Sequence, residues 1–306
     1  MSSSLPTLLH TYQNHHLDST RWLQYMPRAD DIIVATSLKS GTTWMLEIVW
    51  CLIFLGQAAP PTPEHWIEAR AGSLAALLGQ LTTQTHRRLL KTHLPLAGLP
   101  FHPQVKYIVV GRDARDIFMS LWNHYANYTP RSYALLNDTP GRVGDPLPPC
   151  PSDIHAFWRE WISRGWFAWE SEGYPFWSNL QHTQSWWPYR QLENIHFVHF
   201  NDLLADLAGE IRRIAHFLAI VLPEEALPPL IEAVSLPAMR REAEQRYPDL
   251  DQFFQGGVQS FFFKGTNGRW QTVLSAAEVA LYEETAARVL TPDCRAWLEQ
   301  GRAAWT

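Results

Sequence analysis

The fold of this chain is decided by one stretch, Asp31-Ile-Ile-Val-Ala-Thr-Ser-Leu-Lys-Ser-Gly-Thr-Thr-Trp44. Its first part is apolar and β-branched, which predicts a short buried strand over residues 31–36. Its last part opens an apolar run that predicts a helix over residues 42–55. A strand that turns directly into a helix directs backbone N–H groups and the positive helix end at one point. The stretch therefore predicts a loop that binds an anion such as a phosphate.

The residues of this loop suit an anion. Gly41 lets the backbone approach a ligand closely, and Lys39 adds a positive charge. Thr42 and Thr43 add hydroxyl donors. The alternative is a capped helix start with an incidental lysine, because Ser and Thr are favoured at helix N-termini in any case. The order Lys-Ser-Gly-Thr-Thr also differs from the Gly-x-x-x-x-Gly-Lys-[Ser/Thr] order of a Walker loop, so the ATPase pattern is not met.

Two further strand–helix pairs follow the loop. Apolar, β-branched runs predict strands over residues 106–110 and 195–200, and helical stretches follow them over 113–125 and 208–218. Strands separated by helices indicate parallel β-α-β units. We therefore predict an α/β fold with three layers, α/β/α, around a central parallel sheet, and a single domain over residues 1–306.

Two regions interrupt this alternation. Residues 129–151 are rich in Pro, Gly, Asn and Asp, and residues 248–270 are rich in aromatic side chains and Gly without a clear helical or strand period. Long loops inside a compact domain are uncommon and often functional. Both regions are interpreted as loops that cover a site.

Composition and charge narrow the class of protein. The chain has 306 residues, of which 46% are apolar and 18% charged, as in an ordinary globular protein. A formal charge of -5 gives no reason to expect a nucleic-acid partner or an acidic membrane surface. No signal peptide is recognisable, and the apolar run at 44–55 is too short for a bilayer. Three widely separated cysteines, Cys51, Cys150 and Cys294, favour neither disulfides nor a zinc site. We expect a cytoplasmic protein without a bound metal.

A second anion-binding motif is centred on Arg112, at the carboxyl end of the second predicted strand. Ligands of open α/β sheets bind at this edge. Asp113 is placed to cap the following helix, and Ser120 lies about two helical turns further on. An alternative role for the arginines here is in surface ion pairs with Asp113 and Asp116. That alternative is favoured for Arg115.

A candidate base lies in Lys91-Thr-His-Leu-Pro95, which follows the apolar pair Leu89-Leu90. A histidine beside a lysine, just after a predicted strand, can serve as a general base near neutral pH. A single histidine is more often structural or solvated, and this chain holds 13 of them. The residues alone therefore do not single out His93.

The first loop resembles the 5′-phosphosulfate loop of the cytosolic-type sulfotransferase family, and the resemblance extends over about residues 31–271 with further motifs in the same order. It implies 3′-phosphoadenosine-5′-phosphosulfate (PAPS) as the donor and 3′-phosphoadenosine-5′-phosphate (PAP) as the product. It also implies that the donor is held by the loop residues Lys39, Ser40, Gly41, Thr42, Thr43 and Trp44. Arg112 and Ser120 match the family's binders of the 3′-phosphate, and an arginine fork suits such a group.

The resemblance also implies the chemistry. His93 matches the position at which the family places its base, within a Lys-Thr-His-x-Pro motif. In an in-line transfer, His93 would take the proton of the acceptor hydroxyl while the oxygen attacks sulfur. Lys39 would neutralise charge on the oxygen that bridges to the 5′-phosphate, and Lys91 would stabilise the sulfonate oxygens. Ser120 is implied to restrain Lys39 until the acceptor binds. No metal is required.

The third family motif, Arg-Lys-Gly-x-x-Gly-Asp-Trp, is altered here to Phe263-Lys-Gly-Thr-Asn-Gly-Arg-Trp270. Phe263 replaces the arginine that typically contacts the 3′-phosphate, and Arg269 replaces an aspartate. We hypothesise that Arg269 supplies the missing charge. The other residues that the resemblance assigns to the nucleotide site are Phe200, Ser235, Leu236, Lys264 and Gly265. Phe200 stands where the family often has a tyrosine.

The acceptor side of the predicted site is aromatic. Trp158, Trp161, Trp166 and Trp169 recur at a near-helical spacing, which predicts a buried helix face. Four phenylalanines of the late region are candidates for an apolar acceptor pocket: Phe253, Phe254, Phe261 and Phe262. We therefore predict a small acceptor, a hydrophobic phenol or alcohol, and not a charged polysaccharide.

Two alternatives stay open. An ATP-dependent small-molecule kinase would need a Walker loop, magnesium and a metal-holding aspartate. A non-catalytic sulfotransferase fold that only binds a ligand is kept open by Phe263. The family often forms dimers, so a homodimer is an open alternative to a monomer.

Overall fold

A parallel sheet lies at the centre of the protein, in a computed structural model that describes residues 5–57, 60 and 65–305. Its strands are β1 (Ile32–Thr36), β2 (Leu89–Thr92), β3 (Lys106–Gly111) and β4 (Ile195–His199), in the order β2-β1-β3-β4. All the pairings between them are parallel. The strands are rich in apolar and β-branched side chains because both faces of the sheet are covered. The parallel sheet predicted from the sequence is confirmed.

Helices cover both faces of this sheet. In chain order the α-helices are α1 (Thr42–Ile53), α2 (Leu74–Thr83), α3 (Ala114–Ala126), α4 (Pro130–Asp138), α5 (Ile154–Ser163), α6 (Asn179–Trp186), α7 (Phe200–Ala205), α8 (Leu207–Phe217), α9 (Leu227–Ala233), α10 (Leu236–Arg246), α11 (Gly257–Phe261), α12 (Ala276–Val289) and α13 (Pro292–Gln300). Short 3₁₀ helices span Ser19–Gln24, Leu96–Gly98, Trp187–Tyr189, Glu224–Ala226, Leu250–Gln252, Arg269–Thr272 and Gly301–Trp305.

Side chains alternate across the strands and build two apolar cores, one on each face. Ile33 and Val109 belong to a core that includes residues of α3, α5, α6, α12 and α13. Ile32 and Val110 belong to a second core with residues of α1, α8 and α9. The three-layer α/β/α architecture is therefore confirmed. Within the described ranges, none of these helices combines the length and the apolar character that a membrane span needs.

The sheet brings the loops that follow all four strands to one edge. β1 lies between β2 and β3, so successive connections leave β1 on opposite sides, and a crevice opens at that point. The register aligns the strand ends, since Ala35 pairs with Thr92 and Thr36 pairs with Val110. The residues that follow the strands therefore converge.

The two regions interpreted as long loops contain helices. Thr129 caps α4 by accepting a hydrogen bond from the backbone of Ser132, and Pro130 occupies the first helical turn. In the second region, α11 follows Gly256, which adopts a left-handed conformation. The prediction of loops was wrong in these parts, because helices of nine and five residues are too short to show a clear period.

The tryptophan spacing predicted a longer helix than the structure has. Trp158 and Trp161 are buried in α5, as predicted. α5 ends at Ser163, because Gly165 lies so close to the backbone carbonyl of Glu170 that no side chain fits there. Trp169 consequently lies outside the helix and is 39% exposed. The last predicted strand is also one residue too long, since α7 begins at residue 200.

Candidate active site

The loop between β1 and α1 has the backbone of an anion-binding turn. Lys39 (φ 64°) and Gly41 (φ 110°) both adopt left-handed conformations. A Cβ atom at Gly41 would lie 2.9 Å from the ring of Phe200 and would be strained at this φ. The loop therefore combines a helix N-terminus with a glycine that no other residue replaces without strain.

Hydroxyl groups stabilise this turn from within. Ser40 is buried, and its Oγ donates to the carbonyl of Ser37 at 2.9 Å. Oγ1 of Thr42 lies 2.7 Å from Oγ1 of Thr36, at the end of β1. These side chains shape the loop, whereas the neighbouring Thr43 keeps part of its surface exposed.

The side chain of Lys39 turns toward α3. Its Nζ lies 3.4 Å from Nδ1 of His124 and 5.1 Å from the centre of the Phe261 ring. Burial, with the charge of Arg112 as the second cause, lowers the pKa of Lys39 to about 8. Ser120 lies one helical turn before His124, on the same face of α3. The sequence analysis did not identify His124.

Arg112 follows β3 and is held by the altered third motif, through Thr266 and Asn267. Its Nε and Nη2 donate to Oδ1 of Asn267 at 2.9 and 2.7 Å, and Nη2 also donates to the carbonyl of Thr266 at 3.1 Å. Nη1 donates to the carbonyl of Lys39 at 3.1 Å. The guanidinium lies 4.1 Å from the centre of the Phe200 ring. Burial lowers the pKa of Arg112 to about 10. Arg112 thus links the first loop, α7 and the altered third motif.

Arg269 lies near Arg112 at the altered motif. Burial is the main cause that lowers the pKa of Arg112; the carboxylate of Asp116 opposes this shift, and the nearby charge of Arg269 adds to it. Burial also lowers the pKa of Arg269. Arg269 lies 5.3 Å from the centre of the Phe263 ring, and its buried Nε has no hydrogen-bond partner in the described part of the chain. Asp116 accepts from the backbone N–H of Gly268 at 2.6 Å, and burial raises the pKa of Asp116 to about 6.

Arg115 makes the predicted ion pair with Asp113. The guanidinium lies 2.6 Å from the carboxylate, and Asp113 also caps α3 by accepting from the backbone of Arg115. The side chains are only 13% and 7% exposed, so the pair is not on the surface as expected. The reason is that Arg115 packs over Trp270, 4.1 Å from the ring centre. Arg115 is therefore held in place by Asp113 and Trp270.

His93 follows β2 and is oriented by β1. Its Nδ1 lies 2.8 Å from the backbone carbonyl of Thr36. Because a carbonyl only accepts, the proton of a neutral imidazole lies on Nδ1 and the lone pair lies on Nε2. His93 is 6% exposed, and its ring lies 5.1 Å from Trp66 and 6.1 Å from Trp177. Nζ of Lys91 lies 5.3 Å from the same Trp66 ring.

A buried carboxylate that the sequence analysis missed fixes the turn at His93. Oε1 of Glu68 accepts from the backbone N–H of His93 at 2.7 Å and from Oγ1 of Thr92 at 2.8 Å. Oε2 accepts from the indole N–H of Trp22 at 2.7 Å. Burial raises the pKa of Glu68, and the hydrogen bonds from His93 and Thr92 partly oppose this shift. No local motif marks Glu68, because all its partners are distant in the sequence or on another element.

The remaining predicted nucleotide residues border the late loop. Ser235 caps α10, accepting from the backbone of Ala238 at 3.3 Å. Leu236 lies 3.5 Å from the position that a Cβ atom would take at Gly265. Lys264 is exposed, and its Nζ lies 5.3 Å from the centre of the Phe263 ring. The structure thus brings the start of α10 against the altered motif.

Comparisons with known proteins show the family of this chain. The model of the sulfotransferase domain matches residues 29–291. A glycolipid sulfotransferase of Mycobacterium bovis (strain BCG / Pasteur 1173P2) is 30% identical to this chain and aligns with 96% of this chain and 95% of its own length. Sulfotransferase 1A1 of Rattus norvegicus is 28% identical over 87% of this chain and 86% of its own length.

Solved structures share the fold. Mouse sulfotransferase SULT7A1 complexed with PAP superposes with a TM-score of 0.68 at 19% identity, over 98% of this chain and 99% of that one. Retinol dehydratase, in a complex with androsterone and the inactive cofactor PAP, gives a TM-score of 0.62 at 24% identity, over 87% and 82% of the two chains. The chain therefore belongs to the sulfotransferase family, whose enzymes use PAPS as the sulfonate donor.

Proposed function

We propose that this enzyme transfers the sulfonate group of PAPS to the hydroxyl of a small hydrophobic phenol or alcohol, with His93 as the general base. The observation that supports it best is the contact of Nδ1 of His93 with the carbonyl of Thr36. It directs the lone pair to Nε2 and fixes the ring beside the loop that follows β1. A base held in one tautomer and next to a phosphate-binding loop suits proton removal during group transfer.

The residues around the first loop fit the donor. Left-handed Lys39 and Gly41 with the N-terminus of α1 suit the 5′-phosphate group. Trp44 and Phe200 pack edge to face with ring centres 5.4 Å apart, and the buried indole N–H of Trp44 has no partner in the described ranges, so it is available to a ligand. Ser40, Thr42, Thr43, Ser235, Leu236, Lys264 and Gly265 would complete the nucleotide site.

The 3′-phosphate would bind between two guanidinium groups. Arg112 and Arg269 lie close enough for the charge of Arg269 to act on Arg112, and Nε of Arg269 is buried without a partner in the described chain. The carboxylate of Asp116 compensates part of this positive charge, and a bound phosphate would compensate more of it. Arg269 would thus replace the arginine that Phe263 displaces, and Ser120 would add a hydroxyl donor.

The transfer itself needs few groups. The donor supplies an activated sulfonate whose bond to the 5′-phosphate oxygen breaks as the acceptor oxygen bonds to sulfur. His93 takes the hydroxyl proton on Nε2. Lys39 moves from His124 to neutralise the charge that the leaving phosphate oxygen acquires, and Lys91 contacts the sulfonate oxygens. PAP and the sulfated acceptor are released.

The acceptor would enter beside His93, where the walls are aromatic. Trp66 and Trp177 flank the base, and Phe254 and Phe261 pack on His124 with ring centres 4.6 and 5.7 Å apart. Such walls suit an apolar body with one reacting hydroxyl. A related enzyme of Mycobacterium bovis is named a glycolipid sulfotransferase, so an acceptor with an apolar part has a precedent among the relatives of this chain.

We further propose that residues 1–306 form one sulfotransferase domain that works in the cytoplasm. The cysteines Cys51, Cys150 and Cys294 are all free, as expected in a reducing compartment. A homodimer stays a prediction. No specific observation favours the kinase alternative, and the non-catalytic alternative is opposed by the oriented His93.

The first experiment compares donor binding with turnover. Calorimetric titration with PAP, and with ADP and magnesium ATP, should show tight binding of PAP alone. His93→Asn keeps an amide that can donate to Thr36 but places nothing at Nε2. It should lower the rate of sulfation of 2-naphthol about 100-fold or more and leave PAP affinity unchanged. Equal losses of rate and affinity would contradict a role as base, and preferential ATP binding would contradict the proposed donor.

A further inference from the structure

Two adjacent histidines near the N-terminus form a hydrogen-bonded chain that none of the roles above uses. Nε2 of His15 lies 2.8 Å from the carbonyl of Pro175, and the Nδ1 atoms of His15 and His16 are in hydrogen-bond contact. Burial lowers the pKa of His15 to about 4 and that of His16 well below its ordinary value, so both rings are neutral near pH 7.

The carbonyl of Pro175, at the end of these two hydrogen bonds, determines the tautomers of His15 and His16. A carbonyl only accepts, so Nε2 of His15 carries the proton and Nδ1 of His15 carries the lone pair. Nδ1 of His16 must then be the donor in the contact between the rings. The consequence is that Nε2 of His16 is an unprotonated acceptor, as Nε2 of His93 is.

His16 lies next to the base. Its ring is 5.8 Å from that of Trp177, the indole that is also 6.1 Å from His93. The charge of His93 acts on the pKa of His16, and the charges of His16 and His93 both act on that of His124, which places the three imidazoles together. His16 keeps 8% of its surface exposed, and no donor in the described part of the chain reaches its Nε2.

We infer that the acceptor of this enzyme carries a second hydroxyl group next to the one that is sulfated, and that Nε2 of His16 accepts a hydrogen bond from it. The inference rests on the proposed function, in which His93 takes the proton of the reacting hydroxyl. His16 and the proposed base His93 lie beside the same indole, so their Nε2 atoms suit two neighbouring hydroxyls, as in a catechol or in a sugar ring. A site that offers a buried acceptor discriminates against a ligand that lacks the donor, because the acceptor then stays unsatisfied.

The test uses two rigid acceptors, 2,3-dihydroxynaphthalene and 2-naphthol, which differ only in the second hydroxyl. We expect the native enzyme to prefer the diol by about tenfold in kcat/KM, the effect of one hydrogen bond in a buried site. His16→Asn retains a group at the Nδ1 position, which faces His15, but has nothing at Nε2. His16→Gln carries its amide oxygen to the Nε2 position.

The diol preference should fall in His16→Asn to about twofold, the statistical effect of two equivalent hydroxyls, and stay within about threefold of the native value in His16→Gln. PAP affinity, measured for each variant, shows whether the nucleotide site is intact. A preference that persists in His16→Asn would overturn the inference, as would a native enzyme without preference. If PAP binds but neither naphthol is sulfated, the proposed phenol acceptor is wrong and the inference fails with it. Sulfation of both naphthols at equal rates would contradict the inference about His16 but not the proposed function.

Discussion

Nζ of Lys39 lies 3.4 Å from Nδ1 of His124, on the acceptor side of the loop that follows β1. Burial and the charge of Lys39 lower the pKa of His124 well below its ordinary value, so its ring is neutral and can accept from the ammonium. The resemblance to the family assigned such a restraint to Ser120, four residues earlier on α3. In this chain the lysine that should meet the leaving phosphate oxygen is held by a histidine.

Replacement of His124 by Phe should strengthen PAP binding. In the free enzyme the ammonium of Lys39 is bonded to His124, and PAP binding has to break this hydrogen bond. In His124→Phe the bond is absent from the start, so PAP binding no longer has to break it. One such bond is worth about 1 kcal/mol, which corresponds to about a fivefold lower Kd. Calorimetric titration near neutral pH measures it, with His124→Asn as the control, because an Asn side chain keeps an acceptor at the Nδ1 position that faces Lys39. Weaker binding by His124→Phe would show that His124 does not compete for Lys39.

PAP binding should weaken as the pH rises above 8. The pKa of Lys39 is lowered to about 8 in the free enzyme, mainly by burial, and a phosphate beside the ammonium raises it again. Below pH 8 Lys39 is therefore already charged in the free enzyme. Above pH 8 PAP binding requires Lys39 to take up a proton, so the affinity for PAP falls about tenfold for each pH unit. Titrations in two buffers of different ionisation enthalpy should detect the uptake in the native enzyme but not in Lys39→Met. Equal uptake in both would assign the proton to another group.

Removal of Arg269 should reduce discrimination for the 3′-phosphate. Arg269→Ala is expected to weaken PAP binding by about 10- to 100-fold, the range for a charge-assisted hydrogen bond, because the phosphate keeps only Arg112. Binding of AMP, which lacks the 3′-phosphate, should be unchanged and serves as the control. Parallel losses for both nucleotides would indicate that Arg269 stabilises the loop and does not contact the 3′-phosphate.

The sheet and the strand-end residues could be predicted because their signals are local. β1 and β3 are short β-branched runs that each precede a loop, and β2 begins with the apolar pair Leu89-Leu90. Parallel strands place Lys39, His93 and Arg112 at one edge whatever the details of the loops. The helices α4 and α11 were missed because they are too short for a helical period to show in the sequence. The tryptophan spacing failed at Gly165, where the close approach of another backbone segment ends α5.

Residues that act through distant partners could not be predicted from the sequence. Glu68 lies 25 residues before His93, and His16 reaches the site only because the N-terminal segment packs against Trp177. His124 belongs to a predicted helix, but only the position of Lys39 in the folded loop gives it a role. The chemistry of these side chains depends on tertiary contacts, which no motif of adjacent residues records.

Replacement of Glu68 by Ala should reduce stability and, more specifically, turnover. It leaves the backbone N–H of His93, the hydroxyl of Thr92 and the indole N–H of Trp22 without their buried acceptor, at a cost of about 3–5 kcal/mol in the free energy of unfolding. Since one of these bonds fixes His93, kcat should fall about tenfold or more while PAP affinity is retained. Trp22→Phe removes only the donor farthest from the base, so it should lower stability by about 1–2 kcal/mol and retain kcat. Urea unfolding and steady-state kinetics separate the two effects, and an equal loss of kcat in both variants would show that Glu68 supports the fold without positioning His93.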